Sequence, residues 1–102
     1  MKTLIFGSLN QDIVYDVDHF GKPGETTKAL RISRYPGGKG LNQAIAASKA
    51  GSNVHMAGCI GPEGTWLLNE LETAGVNATH IRIVPDTATG TAIIERDPAG
   101  AN

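Results

Sequence analysis

The chain is poor in cysteine and aromatic residues, and it has no long apolar run. Its 102 residues include one cysteine, and phenylalanine, tryptophan and tyrosine together make up 5%. A lone cysteine cannot form an intramolecular disulfide, which favours a reducing compartment. The apolar start at 1–7 is too short for a secretory signal, and no stretch approaches the roughly 18 apolar residues of a membrane span. These features predict a cytoplasmic protein with no membrane association.

Neither sign of charge is in excess, since nine basic and ten acidic residues give a net charge of -1. No basic stripe is present, so we expect no nucleic-acid partner. The three histidines are far apart in the sequence and Cys59 has no neighbouring ligand, so we expect no metal site. We expect His55 to pack in the core, and Cys59 to be a small buried apolar side chain.

The apolar periodicity predicts alternating strands and helices in one small domain. A continuous apolar run at 3–6 is typical of a buried strand of a parallel sheet. Period-two patterns predict half-exposed strands elsewhere, and in one of them Ile13, Tyr15 and Val17 would share a face. The last strand runs into a turn with no partner strand after it, so we expect the front part of a longer protein. The predicted strands are 3–6, 13–17, 29–35, 53–58, 81–84 and 90–96. A helix is predicted at 64–74, with an apolar stripe made of Leu67, Leu68, Leu71 and Ala74.

A glycine-rich segment, Gly37-Gly38-Lys39-Gly40, precedes another predicted helix. Small or apolar residues at 41, 44, 45 and 48 have helical spacing, and Gly51 lies where the helix would end. Free amide groups and the positive end of the helix dipole favour anions or sugar hydroxyl oxygens at such a turn. Neither a P-loop spacing nor G-x-G-x-x-G is present. Tight packing of a strand against the helix stays an alternative explanation for the glycines.

Four segments in chain order form a recognisable set: Gly7-Ser8-Leu9-Asn10-Gln11-Asp12, Pro23-Gly24-Glu25-Thr26, Gly37 to Ala44 with Gly51 and Gly61 downstream, and Thr89-Gly90-Thr91-Ala92. Together they resemble the N-terminal portion of the ribokinase-like (PfkB) family of carbohydrate kinases, end to end and closest to ribokinases. One departure follows Gly61, where the family often has acidic residues and then a glycine. This chain has Pro62-Glu63-Gly64-Thr65-Trp66 there, so the loop is expected to differ in shape.

The resemblance implies an α/β fold, in which a three-layer Rossmann-like parallel sheet with helices carries a small β-sheet lid. Residues 1–11 and 37–87 would belong to the α/β core, and residues 12–36 and 88–102 to the lid. The chain would be an incomplete piece of that fold. Ala92 and Ile94 would either cover a bound sugar or fill the core of the lid itself.

The family phosphorylates a sugar hydroxyl with ATP, and five residues here match its substrate site: Asn10, Asp12, Gly38, Lys39 and Asn42. An ionised Asp12 can accept hydrogen bonds from two adjacent hydroxyls, and the two asparagines can donate or accept. Gly38 allows close approach of the backbone, and Lys39 can reach a hydroxyl or offset charge near the transferred phosphoryl group. A turn-capping Asp12 and a solvated Lys39 are the structural alternatives.

No residue of the chain matches the family's catalytic base or nucleotide site, which the resemblance places beyond Asn102. ATP and Mg2+ would be bound mainly by that part, with a monovalent cation as a further candidate. Because phosphoryl transfer depends on positioning and charge stabilisation, the 102-residue chain alone is predicted to be inactive. The intact protein is expected to bind a small-molecule sugar and to form a homodimer through the lid.

Several alternatives stay open at this point. Ribose or a related sugar is the first choice of substrate, and a phosphofructokinase or another kinase of the family is the alternative. A nucleotide-binding oxidoreductase domain is a candidate from another class. A non-catalytic module that associates through exposed lid strands is a further one.

Overall fold

The computed structural model describes residues 2–100, in which two three-stranded sheets pack with two helices. The parallel sheet has the strand order β1-β4-β5. The mixed sheet has the order β3-β2-β6, with β2 antiparallel to β3 and parallel to β6. The elements are β1 Lys2–Phe6, β2 Asn10–Val17, β3 Ala29–Gly37, α1 Lys39–Lys49, β4 Asn53–Ile60, α2 Trp66–Thr73, β5 Asn77–Ile83 and β6 Gly90–Arg96. Met1, at the start of the predicted core, and Ala101 and Asn102, at the end of the predicted lid, lie outside the described residues.

The hydrophobic core lies between the parallel sheet and its two helices. Leu41 and Ala44 of α1 and Leu67 and Leu71 of α2 are completely buried, which confirms the inward stripes predicted for both helices. Together the two helices cover one face of the sheet. The core cluster consists of Leu9, Leu41, Ala44, Val54, Met56, Ile60, Leu67, Leu71, Val76 and Ile81.

Both helices end at a glycine with positive φ. Gly51 has φ +100°, its amide donates to the carbonyl of Ser48 at 3.0 Å, and the Ser52 amide donates to Ala47 at 3.1 Å. Gly75, with φ +86°, closes α2 in the same way. These bonds satisfy carbonyls that the helix leaves unpaired, and only glycine adopts this conformation without strain. The stop predicted at Gly51 is confirmed.

The other face of the parallel sheet is open. Leu4 and Phe6 of β1 are 64% and 82% exposed, and Thr3 and Ile5 on the covered face are only half-buried, so the expectation of a buried strand was wrong. His55 is half-buried on this face, where its ring centroid lies 6.2 Å from that of His80, and it is not part of the core cluster. Cys59 is exposed, and the expectation that it is buried was wrong. Side chains alternate along β4, and the helices cover the face that carries Val54 and its even-numbered neighbours.

Three elements begin two or more residues away from their predicted starts. Strand β2 starts at Asn10 because its backbone pairs with Gly37 and Gly90, although the side chains there are polar. Strand β5 starts at Asn77, and α2 starts at Trp66 after a 3-10 turn at Pro62–Gly64. In each case pairing or packing with distant residues outweighs local preference.

The pairing at the far end of β2 is irregular. The pairing of β2 with β3 shifts between Asp16 and Val17, so that Val17 pairs with Ala29. Leu30 is thus an extra residue in β3, and Val17 is buried, as is Val14; the shared face of Ile13, Tyr15 and Val17 stays a prediction. Sequence alternation alone does not reveal the extra residue in the partner strand.

Candidate functional site

The glycine turn joins the end of β3 to the start of α1 and packs directly on the segment between β1 and β2. A methyl group at Gly38 would lie 2.7 Å from the Ser8 carbonyl oxygen, and one at Gly40 would lie 2.7 Å from the backbone of Gly7 and Ser8. The Leu41 amide donates to the Ser8 carbonyl at 3.0 Å. The glycines therefore serve tight packing of strand against helix, and that packing brings the start of α1 next to the start of β2.

Asn10 and Asp12 lie at the start of β2 and point to the same face of the mixed sheet. A methyl group at Gly37 would lie 2.9 Å from both carboxylate oxygens of Asp12, so this carboxylate rests on the glycine turn. The Asn10 side chain lies against Gly90 in the same way. The mixed sheet thus places the Asp12 carboxylate beside the turn that precedes α1, and the Asn10 side chain beside Gly90, with the Asn10 backbone amide next to Gly38.

Lys39 and Asn42 belong to the first turn of α1, and both are exposed. Gly38 is the N-cap residue, with φ 96° and no side-chain cap, and its carbonyl accepts the Asn42 amide at 3.0 Å. Since Gly38 directly follows the residue that Asp12 contacts, the five predicted site residues are gathered around one turn. The turn, the helix dipole and these side chains together offer both donors and acceptors.

The predicted polar site residues are not used by the fold. Within residues 2–100, the side chains of Asn10, Asp12, Lys39 and Asn42 make no hydrogen bond or ion pair. Asn10 and Asp12 are nevertheless half-buried, where polar groups normally have partners. Their hydrogen-bonding capacity is therefore available to a ligand, and a turn-capping bond from Asp12 is not formed.

Two residues of the mixed sheet flank Asp12. Ala92 of β6 and Tyr35 of β3 are its register partners, and Ala92 is exposed. Ile94, two residues further along β6, pairs with the buried Val14 and is half-buried. Their roles toward a sugar or toward the sheet itself stay predictions.

Sequence reasoning missed an anchor between Glu63 and Thr89. The Thr89 amide and hydroxyl donate to Glu63 Oε1 at 2.6 and 2.7 Å, and the Gly61 amide donates to the buried Thr89 hydroxyl at 2.9 Å. The hydroxyl bond, followed by the amide bond, lowers the pKa of the Glu63 carboxyl. This anchor ties the beginning of β6 to the 3-10 turn, in the loop where the sequence departs from the family pattern.

A second missed contact joins α2 to the mixed sheet. The Trp66 indole donates to Gln11 Oε1 at 3.0 Å, and the Arg34 guanidinium carbon lies 4.9 Å from the ring centroid. Gln11 lies between Asn10 and Asp12 on β2. The departure at Trp66 was noted in the sequence, but its partner is 55 residues away, so no local pattern could have identified it.

Metal and membrane features were searched in the described part of the chain. Among residues 2–100, no three histidine, cysteine or acidic side chains converge closely enough to hold a metal ion. Neither of the helices described there has the length and apolar character needed to span a bilayer. The cytoplasmic location stays a prediction.

Comparison with known proteins identifies the family. The model of the pfkB family of carbohydrate kinases matches residues 2–102. The chain belongs to this family. Ribokinases from Haemophilus influenzae and Bacillus subtilis are 41% and 40% identical to it over 92% and 88% of its length. The chain covers 32% and 31% of those two proteins, and thus spans about a third of the relatives it matches.

Solved structures of the family have the same fold. Ribokinase from Cryptococcus neoformans var. grubii, in complex with ADP, superposes with a TM-score of 0.91 at 40% identity, covering 99% of this chain and 32% of that one. Arabidopsis thaliana ribokinase, complexed with ribose and ATP, gives 0.86 at 30% identity, covering 97% and 33%. The predicted ribokinase-like α/β fold, with a parallel sheet and a second small sheet, is confirmed.

Proposed function

We propose that residues 2–100 form the sugar-binding part of an ATP-dependent sugar kinase, with the mixed sheet as its lid. The observation that carries this proposal is the placement of two half-buried polar side chains without protein partners, Asn10 and Asp12, beside the glycine turn. A polyol supplies the matching groups, since each hydroxyl both donates and accepts. Ribose is the first substrate we propose, because the ribokinases compared above are about 40% identical to the chain.

Each site residue has a distinct task in this proposal. The Asp12 carboxylate accepts hydrogen bonds from two adjacent hydroxyls, and Asn10 and Asn42 complete the polar ring. Gly38 lets the sugar approach the backbone at the start of α1. Lys39 holds a hydroxyl or offsets negative charge near the incoming phosphoryl group. The sugar is thereby oriented for attack, which is the main contribution that phosphoryl transfer asks of the acceptor site.

ATP is the phosphoryl donor in this proposal. Two ribokinases with the same fold were crystallised with ADP or with ribose and ATP. We place the catalytic base, the nucleotide pocket and the sites for Mg2+ and a monovalent cation outside this chain, which covers a third of its relatives. Among residues 2–100, no three histidine, cysteine or acidic side chains converge on a metal site, and we assign the described residues no step that involves either ion.

The test is Asp12→Asn in the complete kinase that carries this segment, with Asp18→Asn as the control. Losing two charge-assisted hydrogen bonds is expected to raise the sugar KM roughly 100-fold. Asp18 is exposed at the end of the same strand, so its substitution should leave the KM unchanged. A panel of ribose, deoxyribose and fructose 6-phosphate identifies the substrate; preference for the sugar phosphate would favour the phosphofructokinase alternative. An equal response of both variants would contradict the assigned site.

We also propose that the mixed sheet associates with a second copy of the protein. Ile32 and Ile93 are 60% and 68% exposed, and both lie on the sheet face opposite Asp12. Exposed apolar strands are ordinarily covered by a partner. Sedimentation velocity on the complete protein should show a dimer that Ile93→Lys converts to a monomer, whereas Asn53→Lys on the parallel sheet should not. A strictly monomeric wild type would refute the association.

A further inference from the structure

A continuous series of hydrogen bonds lies behind the proposed sugar site. Gln11 points to the face of β2 opposite Asn10 and Asp12, and it is only 6% exposed. Its carbonyl oxygen accepts from the Trp66 indole at 3.0 Å, and its amide nitrogen donates to the Thr91 hydroxyl at 3.1 Å. The Thr91 hydroxyl in turn donates to the Thr89 carbonyl at 2.9 Å. A nearly buried amide is therefore satisfied on both of its ends.

The direction of each hydrogen bond in this series follows from which groups can donate and which can accept. An indole N–H can only donate, so the oxygen of the Gln11 side chain must face Trp66. Its NH2 group must then face Thr91, whose hydroxyl accepts this hydrogen bond and donates its own to the Thr89 carbonyl. If the Gln11 amide were reversed, its NH2 group would face the indole N–H of Trp66, and two donors would meet with no acceptor between them. These hydrogen bonds thus have one allowed arrangement, which defines one position of β2 relative to α2.

Trp66 is linked directly to two strands of the mixed sheet and indirectly to the third. It reaches β2 through Gln11, it reaches β6 through Gln11 and Thr91, and the Arg34 guanidinium of β3 lies over its ring. Trp66 itself starts α2, which packs in the core of the parallel sheet. One side chain at the joint between the two sheets therefore links the whole mixed sheet to the rigid part of the fold.

The proposed sugar site is built across the same joint. Asn10 and Asp12 lie on the mixed sheet, whereas Lys39 and Asn42 lie on α1 of the core. A displacement of β2 would separate the two halves of the site without altering any residue in it. Gln11 lies between Asn10 and Asp12. Its hydrogen bond with Trp66 therefore holds the part of β2 whose distance from α1 determines how far apart the two halves of the site are.

We infer that Trp66 and Gln11 are positioning residues, which hold Asn10 and Asp12 at the distance from α1 that a sugar requires. This inference rests on the proposed sugar-kinase function. Neither residue touches the sugar in this scheme. Their contribution is to sugar affinity and not to the chemical step.

The test uses Trp66→Phe in the complete kinase, with Val76→Ala as a control. Phenylalanine retains a ring for Arg34 but removes the indole donor, and the sugar KM should rise roughly five- to twentyfold. The kcat and the KM for ATP should remain unchanged. Val76 is buried in the core cluster away from the mixed sheet, so its truncation lowers stability without moving β2. A rise in sugar KM that is no larger in Trp66→Phe than in Val76→Ala overturns the inference, as does a loss confined to kcat.

A double variant separates positioning from stability. In Trp66→Phe the Gln11 carbonyl loses its partner, and adding Gln11→Met removes this buried unpaired group. The thermal midpoint should recover toward the wild-type value while the sugar KM stays high. A KM that recovers together with the midpoint would overturn the positioning role.

Hydrogen exchange provides a readout that needs no substrate. Amide protons of residues 8–14 should exchange faster in Trp66→Phe than in Val76→Ala, because the anchor of β2 is lost. Equal exchange in the two variants refutes the anchor. If the wild type phosphorylates none of the sugars tested, the proposed function fails, and this exchange comparison still decides whether Trp66 positions β2.

Discussion

The parallel sheet and the mixed sheet are stabilised in different ways. The parallel sheet and its helices share a cluster of ten buried residues, several of them without any exposed surface. In the mixed sheet, Val14 and Val17 are buried, but Leu30, Ile32 and Ile93 are mostly exposed. Its far end is held instead by Asp16, which pairs with Arg31 at 3.1 Å and with Arg96 at 2.7 Å.

The difference lies in the kind of contact that holds each sheet in place. A three-stranded sheet with little buried apolar surface is marginal by itself, so the mixed sheet depends on its attachments at Gln11 and Thr89. The core is held by nonpolar packing, which changes little with pH or ligand. The mixed sheet is attached to the core by a few polar contacts, those of Gln11 with Trp66 and of Thr89 with Glu63. The proposed sugar site has residues on both of these parts.

The largest expected effect comes from truncating a core side chain. Leu67→Ala removes a fully buried side chain and should lower the free energy of unfolding by about 2–5 kcal/mol. Ile93→Ala, on the mixed sheet, should change it by less than about 0.5 kcal/mol at a concentration where the protein is monomeric. Urea denaturation measures both. Similar losses would show that the two sheets are stabilised alike.

The next largest effect concerns the contact between the glycine turn and β1–β2. Gly40→Ala would place its methyl group 2.7 Å from backbone atoms of Gly7 and Ser8, which cannot move aside as a side chain does. Such overpacking should lower the free energy of unfolding by about 1–3 kcal/mol. Lys39→Ala in the same turn is the stability control, because that side chain is exposed. A neutral Gly40→Ala would mean that the turn is not closely packed.

A smaller effect is expected from acid at the far end of the mixed sheet. The hydrogen bond from Arg96, together with that from Arg31, holds the pKa of Asp16 below its ordinary value of 3.8. A carboxyl with a lowered folded pKa stabilises the protein above 3.8, and this contribution is lost as the pH falls through the folded pKa. NMR titration should show Asp16 titrating below 3.8, and Arg96→Met should raise its pKa. An unchanged pKa in Arg96→Met would exclude the pair as its cause.

The smallest effect is expected at the exposed loop after β2. The hydrogen bond to Glu25, followed by that to Asp18, raises the pKa of His19 above its ordinary value of 6.5. Its stabilising contribution is complete below 6.5 and is lost as the pH rises through the folded pKa. Because the pair is exposed, the thermal midpoint should not change measurably over this range. NMR titration should show the raised pKa, and Glu25→Gln should move it back toward 6.5.

Much of the parallel-sheet half could be predicted from the sequence. The inward residues of both helices, the stop at Gly51 and the order of elements follow from periodicity and glycine placement, which are local properties. The start of β2 could not be predicted, since Asn10 and Asp12 have polar side chains and their strand conformation comes from pairing with Gly37 and Gly90. The exposure of Cys59 depends on which face of the sheet the helices cover, and that choice is also non-local.

The candidate site shows the same division. Its five residues were found because they occur in short motifs, but their common location depends on Gly38 and Gly40 packing against the β1–β2 segment. Glu63, Thr89 and Trp66 were missed as structural anchors because each has a partner more than 20 residues away. No periodicity or spacing rule reports a contact of that kind.

By itself, the sequence determined the class of fold, the resemblance to carbohydrate kinases and the identity of the candidate sugar-binding residues. The class of fold follows from local properties, such as helical periodicity and the conformational freedom of glycine. The resemblance and the site residues follow from short motifs. Only the tertiary structure decided which face of each sheet is covered, where the pairing of β2 with β3 shifts, and how Trp66, Gln11 and Thr91 join the two sheets. Those outcomes depend on contacts between residues far apart in the sequence, and these contacts are set by the geometry of the whole fold.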